Sequence, residues 1–491
     1  MKIPRFAQIA ILLSAGILLT SACNKDAKKS PILSEADLPG HTVATQAGSY
    51  YDNKYAKAEG VTPFRVNTEA DAIQAVRSGK ADVFVTDEVL LDAETLNSTG
   101  LKLAFSGAES FPCAMAFAKG DTETLPLFNE FLRLMKEQGA LDAHINFWIH
   151  GGEPAKYPEP RGASDDRPVR YITCLKTSPV SFIKNNQWTG LDVELVREFA
   201  KWCGRPLQIS DIDLAAGIMA LQTGQADMLS ACLFVTEERK KHMDFSDPYY
   251  KCHPGFFMLD EDAVSKGGFW SRTKDAFVQS FVTESRWKLI TNGLVVTLEI
   301  TILAIIIGTI LGMLYCRMVL SRRKWLKKTA AFYDFLMQGI PTLVLLLIMY
   351  YVVLAKSGMS GIAVAVITFA LGFAASSGNV MASSISNIPK GQWEAGMALG
   401  FTRAQTFSSI VFPQAVRKGI GAYQGHCVSL LKSTSIVGYI AVQDITRASD
   451  LLRSRTFEAF APLLVITVIY FILAWIIRLL LNLALPKKNH D

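Results

Sequence analysis

The pattern of apolar and polar positions divides the chain into two halves of different character. Residues 24–286 show short alternating strands and amphipathic helices, whereas residues 289–485 hold nearly all of the long apolar runs. Strands that alternate with helices are typical of a parallel α/β sheet, and apolar runs of ~20 residues are long enough to cross a bilayer. The pattern therefore predicts a soluble half joined to a membrane half.

The strand and helix alternation occurs twice in the soluble half. HTVATQ, FRVN and DVFVTD read as strands of a first unit, and RYITC, PLQIS and ADMLSACL as strands of a second. A stretch rich in proline, glycine and charge at residues 151–167 separates them and is predicted to be a linker. We predict two lobes, at residues 38–150 and 168–262, followed by a connector at residues 263–286.

Five apolar stretches predict membrane helices within a domain at residues 287–485. They lie at residues 290–315, 332–354, 362–381, 428–445 and 462–483. The basic loop SRRKWLKK follows the first stretch and the tail PKKNHD follows the last. The positive-inside rule places basic loops in the cytoplasm. Because the basic loop follows the first span, the soluble half that precedes this span is predicted to lie on the other side of the membrane.

The N-terminus has the layout of a signal peptide. Lys2 and Arg5 precede an apolar stretch, and the small residues Ser21 and Ala22 stand directly before Cys23. Small residues ending in cysteine resemble a bacterial lipoprotein cleavage site, which implies a signal peptide at residues 1–23 and a lipid on Cys23. The alternative is an uncleaved signal anchor. Both predict export of the soluble half, with residues 24–37 as a polar tether.

Composition and motifs exclude several other functions. Hydrophobic residues make up 50% and charged residues 19% of the chain, the net charge is +6, and many basic residues flank the apolar runs. This charge pattern suits membrane topology and does not indicate nucleic-acid binding. The sequence contains no GxxxxGK[ST] loop, no cysteine and histidine spacing of a metal site and no hydrolase constellation. We therefore expect no enzymatic activity, cofactor or metal in this chain.

Cysteine usage leaves one question open. The chain has 8 cysteines and no CxxC pair. Cys174, Cys203, Cys232 and Cys252 fall in one soluble segment, so an oxidising compartment would permit a disulfide whose pairing the sequence does not give. Buried thiols are the alternative.

Three segments of the second lobe carry a family resemblance. GLDVELVREFAKWCGRPLQI, ALQTGQADML and TEERKKHMDFSDPYY resemble the first lobe of polar amino-acid periplasmic binding proteins, and residues 38–150 resemble the second lobe of that family. The family order is reversed here, as in a circular permutation. The resemblance implies an α/β two-lobed periplasmic-binding-protein fold with its lobes in reversed order, which traps an amino-acid ligand.

The resemblance assigns ligand-binding roles to particular residues. Arg239 matches the arginine that binds the ligand α-carboxylate through two parallel N–H bonds, and Asp87 matches the acceptor of the α-ammonium. The alternatives are a surface charge for Arg239 and a helix N-cap for Asp87.

The same resemblance predicts further positions around the ligand. Ser49 and Tyr50 follow a strand where a helix begins, so their backbone N–H groups suit an anion. Cys232 and Thr236 lie in the segment that leads to Arg239 and are expected to line the pocket.

A motif in the membrane half resembles the EAA loop of type I ABC importer permeases. It reads PKGQWEAGMALGFTRAQTFSSIVFPQA and contains Glu394, Ala395, Gly400 and Pro413. In that family the loop forms a short helix pair that docks in a groove of the ATPase. We expect Gly400 to break the helix and Pro413 to end the segment. An amphipathic loop on the membrane surface is the alternative.

Together these patterns predict a fused substrate-binding and permease subunit of an amino-acid ABC importer. We expect a multi-pass protein of the bacterial inner membrane, with its binding domain in the periplasm. The expected partners are an amino-acid ligand, a separate ABC ATPase, a second permease subunit of the same or a different kind, and membrane lipid, but not nucleic acid. The alternatives are an amino-acid-gated receptor or channel, which would have no ATPase to dock, and a binding lipoprotein whose trap has lost activity.

Overall fold

A computed structural model of the chain describes residues 31–91, 93–162, 165–174, 177–185, 187–230, 235, 237–260, 277–456 and 460–483. These residues form a soluble trap with two lobes, here called lobe A and lobe B, and a helical membrane domain. The predicted fold class is therefore confirmed. The predicted signal peptide lies outside the described residues.

Lobe A begins with the strand and helix alternation that the sequence predicts. Its first elements are β1 Thr42–Gln46, α1 Tyr50–Tyr55, β2 Thr62–Val66, α2 Glu69–Arg77, β3 Val83–Asp87, α3 Ala93–Thr99 and β4 Leu101–Ser106, with short 3₁₀ helices at Glu35–Asp37 and Glu88–Leu90. β1 pairs in parallel with both β2 and β3. The carboxyl ends of these strands therefore meet at one edge of the sheet, where parallel sheets bind ligands.

Lobe B follows after a short connection. The next elements are β5 Phe111–Cys113, β6 Ala116–Ala118, α4 Thr124–Glu137, α5 Ala140–His150, β7 Val169–Thr173, β8 Phe182–Lys184, β9 Gln187–Thr189, α6 Leu191–Trp202, β10 Leu207–Asp211, α7 Leu214–Gln222, β11 Met228–Ser230, α8 Glu237–Lys240 and β12 Met243–Phe245. The lobe B sheet has the strand order β10-β7-β11-β6-β12. Buried aromatic rings of α4 and α6 pack together beneath the sheet. The ring centroids of Phe128 and Phe199 are 5.0 Å apart in an edge-to-face contact.

Two antiparallel strands form the hinge between the lobes. β5 leads from lobe A into lobe B, and β13 Tyr250–Cys252 leads back, with Tyr250 opposite Cys113. The chain then ends its soluble part in β14 Pro254–Leu259, which pairs antiparallel with β3 and β4 and completes the lobe A sheet in the order β2-β1-β3-β14-β4. Because the chain crosses twice, lobe A contains residues from both ends of the trap, and lobe B is formed by the segment between the two crossings.

The lobe boundaries differ from those that the sequence predicts. Residues 116–150 lie in lobe B, although the sequence pattern predicts them in the first lobe, and residues 254–259 lie in lobe A. The stretch at 151–167 connects two elements of lobe B and packs on it, with Arg161 N donating to Trp202 O at 2.9 Å. It is therefore not a linker between lobes. The crossing strands have three residues each, which is too short for a pattern to mark them.

The membrane domain consists of helices joined by short turns. Its helices are α9 Trp287–Val319, α10 Lys324–Gly339, α11 Thr342–Ile348, α12 Gly361–Ser386, α13 Lys390–Ala398, α14 Arg403–Thr406, α15 Phe412–Ser433, α16 Ile445–Thr456 and α17 Phe460–Leu483. Short π helices lie at Val278–Val282, Met349–Val353 and Phe407–Val411, and 3₁₀ helices at Thr283–Ser285 and Thr434–Ile440.

The described helices include three that are long and apolar enough to cross a membrane, or up to four if a bent pair is one span. The three are Trp287–Val319, Gly361–Ser386 and Ala461–Leu483. The bent pair, Lys324–Gly339 and Thr342–Val353, turns by 102° at the second predicted span. Pro341 explains this break, because the residue before a proline is held out of the helical region and Ile340 is extended.

The predicted fourth span at residues 428–445 is wrong. The chain is α-helical over Phe412–Ser433, then follows a 3₁₀ helix over Thr434–Ile440 and turns into the separate helix α16. α15 begins earlier than the apolar run in the sequence. The hydropathy pattern does not mark the first half of this helix, because that half carries the charged residues Arg417 and Lys418.

Glycines bring α9 and α12 into close contact. A Cβ added at Gly308 would lie 2.8 Å from Ala370 O, and one at Gly312 would lie 2.5 Å from Ser377 Oγ. Small residues let membrane helices approach until their backbones touch, which is how such helices gain packing contacts without a hydrophobic driving force. The α9–α12 pair is thus the rigid centre of the membrane domain.

α16 joins the membrane domain to both lobes of the trap. Arg447 Nη2 lies 2.8 Å from Asp211 Oδ1 and Nη1 lies 3.1 Å from Asp213 Oδ1, both in lobe B. Further along α16, Arg453 forms an ion pair with Asp71 of lobe A. A single helix of the membrane domain therefore contacts the two lobes through two arginines.

Burial makes the Arg447 contact the stronger of the two. Burial alone would lower the pKa of Arg447, but Asp211 and Asp213 outweigh it and raise the pKa above its ordinary value. The guanidinium is thus charged, and 5% of Arg447 and 3% of Asp211 are exposed. Removing one member of a buried ion pair costs more than removing an exposed one, since the other charge stays desolvated.

Apolar and neutral polar contacts extend this junction. Residues of α7 belong to the same buried cluster as α9, α12 and the 3₁₀ helix Thr434–Ile440. Tyr351 OH donates to Ala216 O at 3.4 Å, and Gln225 Nε2 donates to Ala355 O at 3.1 Å. Lobe B therefore shares a core with the membrane domain, whereas lobe A meets α16 through an ion pair.

The α9–α12 contact predicts that Gly312→Ala destabilises the membrane domain. The added methyl group overlaps Ser377, and overpacking of this kind costs about 1–3 kcal/mol. Thermal unfolding of the full chain in detergent measures the effect. Gly372→Ala on α12 is the matched control, because a Cβ there meets no atom within 4 Å. An equal or higher melting temperature for Gly312→Ala than for the control would contradict the packing described.

The junction predicts a large cost for Arg447→Met. The substitution leaves the Asp211 carboxylate buried without the guanidinium, which costs about 3–5 kcal/mol. Thermal unfolding of the full chain should show a clear drop in melting temperature, partly recovered in the Arg447→Met, Asp211→Asn double variant. The exposed pair Arg133 and Glu137 supplies the control, since Arg133→Ala should change stability by at most about 1 kcal/mol. Equal effects of the two single variants would refute the junction.

Candidate functional site

Asp87 lies at the carboxyl end of β3, facing the cleft edge of lobe A. It is 5% exposed, and its Oδ1 accepts a 2.6 Å hydrogen bond from Tyr51 OH on α1. Burial, together with the Asp87 carboxylate, raises the pKa of Tyr51 well above its ordinary value, so the phenol stays protonated and acts as a donor. A carboxylate offers about four acceptor positions, so Asp87 can accept from more than one donor at once.

Ser49 and Tyr50 lie in the turn between β1 and α1. Ser49 is the N-cap of α1, and its Oγ accepts from Asp52 N at 3.1 Å. The Asp52 carboxylate in turn accepts from Gly48 N at 3.1 Å, and Ser49 N donates to Gln46 O. The turn is therefore held by its own hydrogen bonds and by the chain's own carboxylate, and a role of Ser49 towards a ligand stays a prediction.

Tyr50 points to the hinge. Its ring lies 4.7 Å from the ring of Phe111 on β5 and 5.7 Å from the ring of Tyr51. These rings form an aromatic cluster between α1 and the hinge strand β5.

Arg239 reaches across the cleft from lobe B. It lies on α8, and its Nη2 donates to Gly48 O of the β1–α1 turn at 3.3 Å. The structure thus brings Arg239 to the same turn as Ser49 and Tyr50, and its role towards a ligand stays a prediction. Of the other predicted positions, Cys232, Thr236 and Cys23 lie outside the described residues.

The lobes also meet at a second point of the cleft. Glu69 at the start of α2 in lobe A accepts a hydrogen bond from Thr177 Oγ1 of lobe B, and both residues are buried. A cavity of about 20 Å³ beside them is lined by Gln46 and Asp213 and by Ser454 of α16. It has room for about one water molecule, which needs roughly 10–15 Å³. The lobes are therefore in contact, and α16 reaches their meeting point.

The sequence pattern did not identify α16 as part of this site. Arg447, Asp450 and Arg453 recur every three residues, which is the spacing of one helix face. Asp211 and Asp213 directly follow the predicted strand PLQIS, at an edge where this kind of sheet places ligand groups. Arginines on one helix face and aspartates at the end of a strand are a signal for a contact between the two elements. The sequence does not indicate, however, that this helix and this strand end meet in the fold.

The EAA-like segment forms the predicted helix pair. Gly400 has a φ of 85°, a left-handed conformation that favours glycine, and separates α13 from α14. Trp393 stacks on Phe407 at 6.2 Å, and a Cβ on Gly396 would lie 2.5 Å from Thr406 Cγ2, so the two helices pack tightly. The expectation for Gly400 is confirmed.

The expectation that Pro413 ends the segment is wrong. Pro413 lies in the first turn of α15, a position where the missing N–H costs nothing, and the chain remains helical from there to Ser433. Val411 just before it is fully buried with Ile388 and Ala415, which anchors the pair to the membrane domain.

One face of the helix pair is apolar and exposed. Leu399 is 75% exposed, and Met397 and Phe401 are also exposed large hydrophobic residues. Glu394 and Ala395 are exposed beside them. Clustered apolar side chains with a charge at the edge are typical of a docking surface.

A chamber lies between lobe B and the membrane domain, beside their direct contacts. It has a volume of about 650 Å³, and its lining includes Gln208 and Gln225 from lobe B and Tyr350, Tyr351 and Gln443 from the membrane domain. This is the size range of pockets that hold small molecules.

Comparison with known proteins identifies both halves. The profile of a family described as bacterial extracellular solute-binding proteins, family 3, matches residues 169–420, a little over half of the chain. The matched residues begin at β7 of lobe B and continue into the membrane domain.

Several permeases are similar to this chain. The L-cystine transport system permease protein TcyB of Bacillus subtilis (strain 168) is 32% identical over 203 residues, which are 41% of this chain and 86% of the relative. The octopine transport system permease protein OccM of Rhizobium meliloti is 32% identical over 176 residues, or 34% of this chain and 72% of the relative. A crystal structure of an amino acid ABC transporter with histidines is 30% identical and covers 44% of this chain and 97% of that chain, with a TM-score of 0.38.

These relatives are permeases, which agrees with the importer prediction and gives no support to the receptor or channel alternative. The two-lobed fold agrees with the match to the solute-binding family, and the helix pair α13–α14 agrees with the similarity to permeases. The chain therefore belongs to the bacterial extracellular solute-binding proteins of family 3 and carries, in the same polypeptide, a permease region homologous to amino-acid ABC transporter permeases.

Proposed function

We propose that the chain captures an α-amino acid between lobes A and B, outside the cytoplasm, and passes it to its own permease, while a separate ATPase docked on α13 and α14 supplies the energy. The observation that carries this proposal is the junction at α16, where one permease helix contacts both lobes of the trap. A trap held in this way has no need to diffuse to its permease.

The ligand contacts follow from the two sides of the cleft. Asp87 and Tyr51 of lobe A accept and orient an ammonium group, and Arg239 of lobe B binds the carboxylate. Arg239 donates to the neutral acceptor Gly48 O in the structure, whereas a ligand carboxylate accepts two charge-assisted bonds from a guanidinium. Binding then favours the state in which Arg239 and Asp87 both reach the ligand.

The route to the membrane runs through the junction. The chamber between lobe B and the permease is lined by amide and phenol groups that suit a zwitterion. Separation of the lobes breaks the Arg453–Asp71 pair more easily than the buried Arg447 contacts, because Arg453 is more exposed. Lobe A is therefore the lobe that moves, and lobe B stays on the permease.

A second permease subunit completes the pathway. Glu299 lies on α9, which is long and apolar enough to cross a membrane, and it is exposed in this chain. A charged side chain facing lipid is costly, so Glu299 faces another subunit or an aqueous path. Membrane lipid covers the exposed apolar residues of α17, such as Phe471 and Trp475, because this helix is long and apolar enough to cross the membrane.

A thermal-shift screen of the purified full chain against α-amino acids tests the trap. A ligand that binds only the folded state adds about 2.7 kcal/mol at 100 times its Kd, so one amino acid should raise the melting temperature. Arg239→Ala should abolish this shift, because loss of a buried charge pair costs about 2–5 kcal/mol. Lys241→Ala, which removes an exposed charge two residues away, is the control.

Two outcomes would contradict the trap assignment. One is a panel of amino acids in which none raises the melting temperature of the wild-type chain. The other is a shift that Arg239→Ala and Lys241→Ala leave equally intact, which would show that Arg239 does not bind the ligand carboxylate.

The docking surface predicts that Leu399→Ser weakens binding of the ATPase. Truncating a central apolar contact costs about 2 kcal/mol, which is roughly thirtyfold in Kd. Titration of the co-expressed, purified ATPase against the detergent-solubilised chain measures the change. Leu33→Ser removes an equally exposed leucine from the trap and should have no effect. Unchanged affinity for Leu399→Ser would remove α13 and α14 from the docking surface.

A further inference from the structure

The hinge holds two buried cysteines whose side chains meet across the paired strands. Cys113 on β5 lies opposite Tyr250, and Cys252 on β13 lies opposite Phe111. This offset of two residues puts both cysteine side chains on the same face of the ladder. Their Sγ atoms are 2.8 Å apart, closer than two unbonded sulfur atoms normally approach, and both residues are fully buried.

We propose that Cys113 and Cys252 form a disulfide that joins the two strands on which the lobes hinge. Each thiol loses a proton, and the pair loses two electrons as the sulfur–sulfur bond forms. The electrons pass to the disulfide of a thiol–disulfide oxidoreductase, which is reduced to two thiols. The bond forms during folding, before the strands bury both sulfur atoms. Its formation requires an oxidising compartment, so the disulfide proposal rests on the location of the trap given in the proposed function.

The position of this bond gives it a structural consequence. The two cysteines belong to the same apolar cluster as Tyr51, the residue that donates to Asp87. The two strands are the chain's crossings between the lobes in the part that the structure describes, and 139 positions separate the two cysteines. A covalent bond here fixes the register of the crossings beneath the ligand site and restricts the unfolded chain, while the lobes still bend about the hinge.

The mass of the hinge peptides tests the proposal. Cells that produce the full chain are quenched in acid and alkylated with N-ethylmaleimide under denaturing conditions, and the chain is digested without reductant. We expect most molecules to yield the Cys113 peptide linked to the Cys252 peptide. Recovery of both peptides in the alkylated form, without prior reduction, would overturn the proposal.

Two variants make the result specific. Cys203→Ser should leave the linked peptide in place, because Cys203 lies in the lobe B core with its sulfur next to Ala200 O. Cys113→Ser should eliminate the linkage and lower the melting temperature of the chain, and a linked peptide that persists in this variant would refute the pairing. The readout is a mass and not a transport rate, so the disulfide and the importer function fail or stand separately.

Discussion

The buried contact of Arg447 with Asp211 and Asp213 is the interaction on which the arrangement of trap and permease depends. It places a charged guanidinium where almost no solvent reaches, so its stability requires both carboxylates. Because Arg447 belongs to the permease and the carboxylates to lobe B, the folded state of each half depends on the other. The shared apolar cluster around α7 strengthens this dependence.

The two lobes have different relations to the membrane as a result. Lobe B shares a core with the permease, whereas lobe A is held by the hinge strands, by the Glu69 hydrogen bond and by the Arg453–Asp71 pair. In the proposed function, opening of the cleft is a movement of lobe A relative to lobe B and the membrane domain. Lobe A then separates from α16, which lies between α15 and α17 along the chain, and through α16 the proposed movement acts on these two helices.

Sequence reasoning was most successful where a pattern is local. The apolar segment DVFVTD and the glycine at position 400 predicted β3 and the break after α13, and the structure confirms both. The ligand roles of Arg239 and of the β1–α1 turn came from a resemblance and stay predictions. Sequence reasoning failed for the crossing strands β5 and β13, which have three residues each, and for α15, whose basic first half hides a helix. Contacts between distant helices, such as Arg447 with Asp211, depend on tertiary packing that no local pattern records.

The central claim is that ligand in the trap is sensed by the ATPase through this chain. The most direct measurement is ATP hydrolysis by the full chain reconstituted with its ATPase in lipid nanodiscs, with and without each α-amino acid. The account predicts that one amino acid raises the hydrolysis rate of the wild-type complex and that Arg239→Ala, which removes the proposed carboxylate contact, abolishes this stimulation while basal hydrolysis remains. A hydrolysis rate that no amino acid changes in the wild-type complex would contradict it.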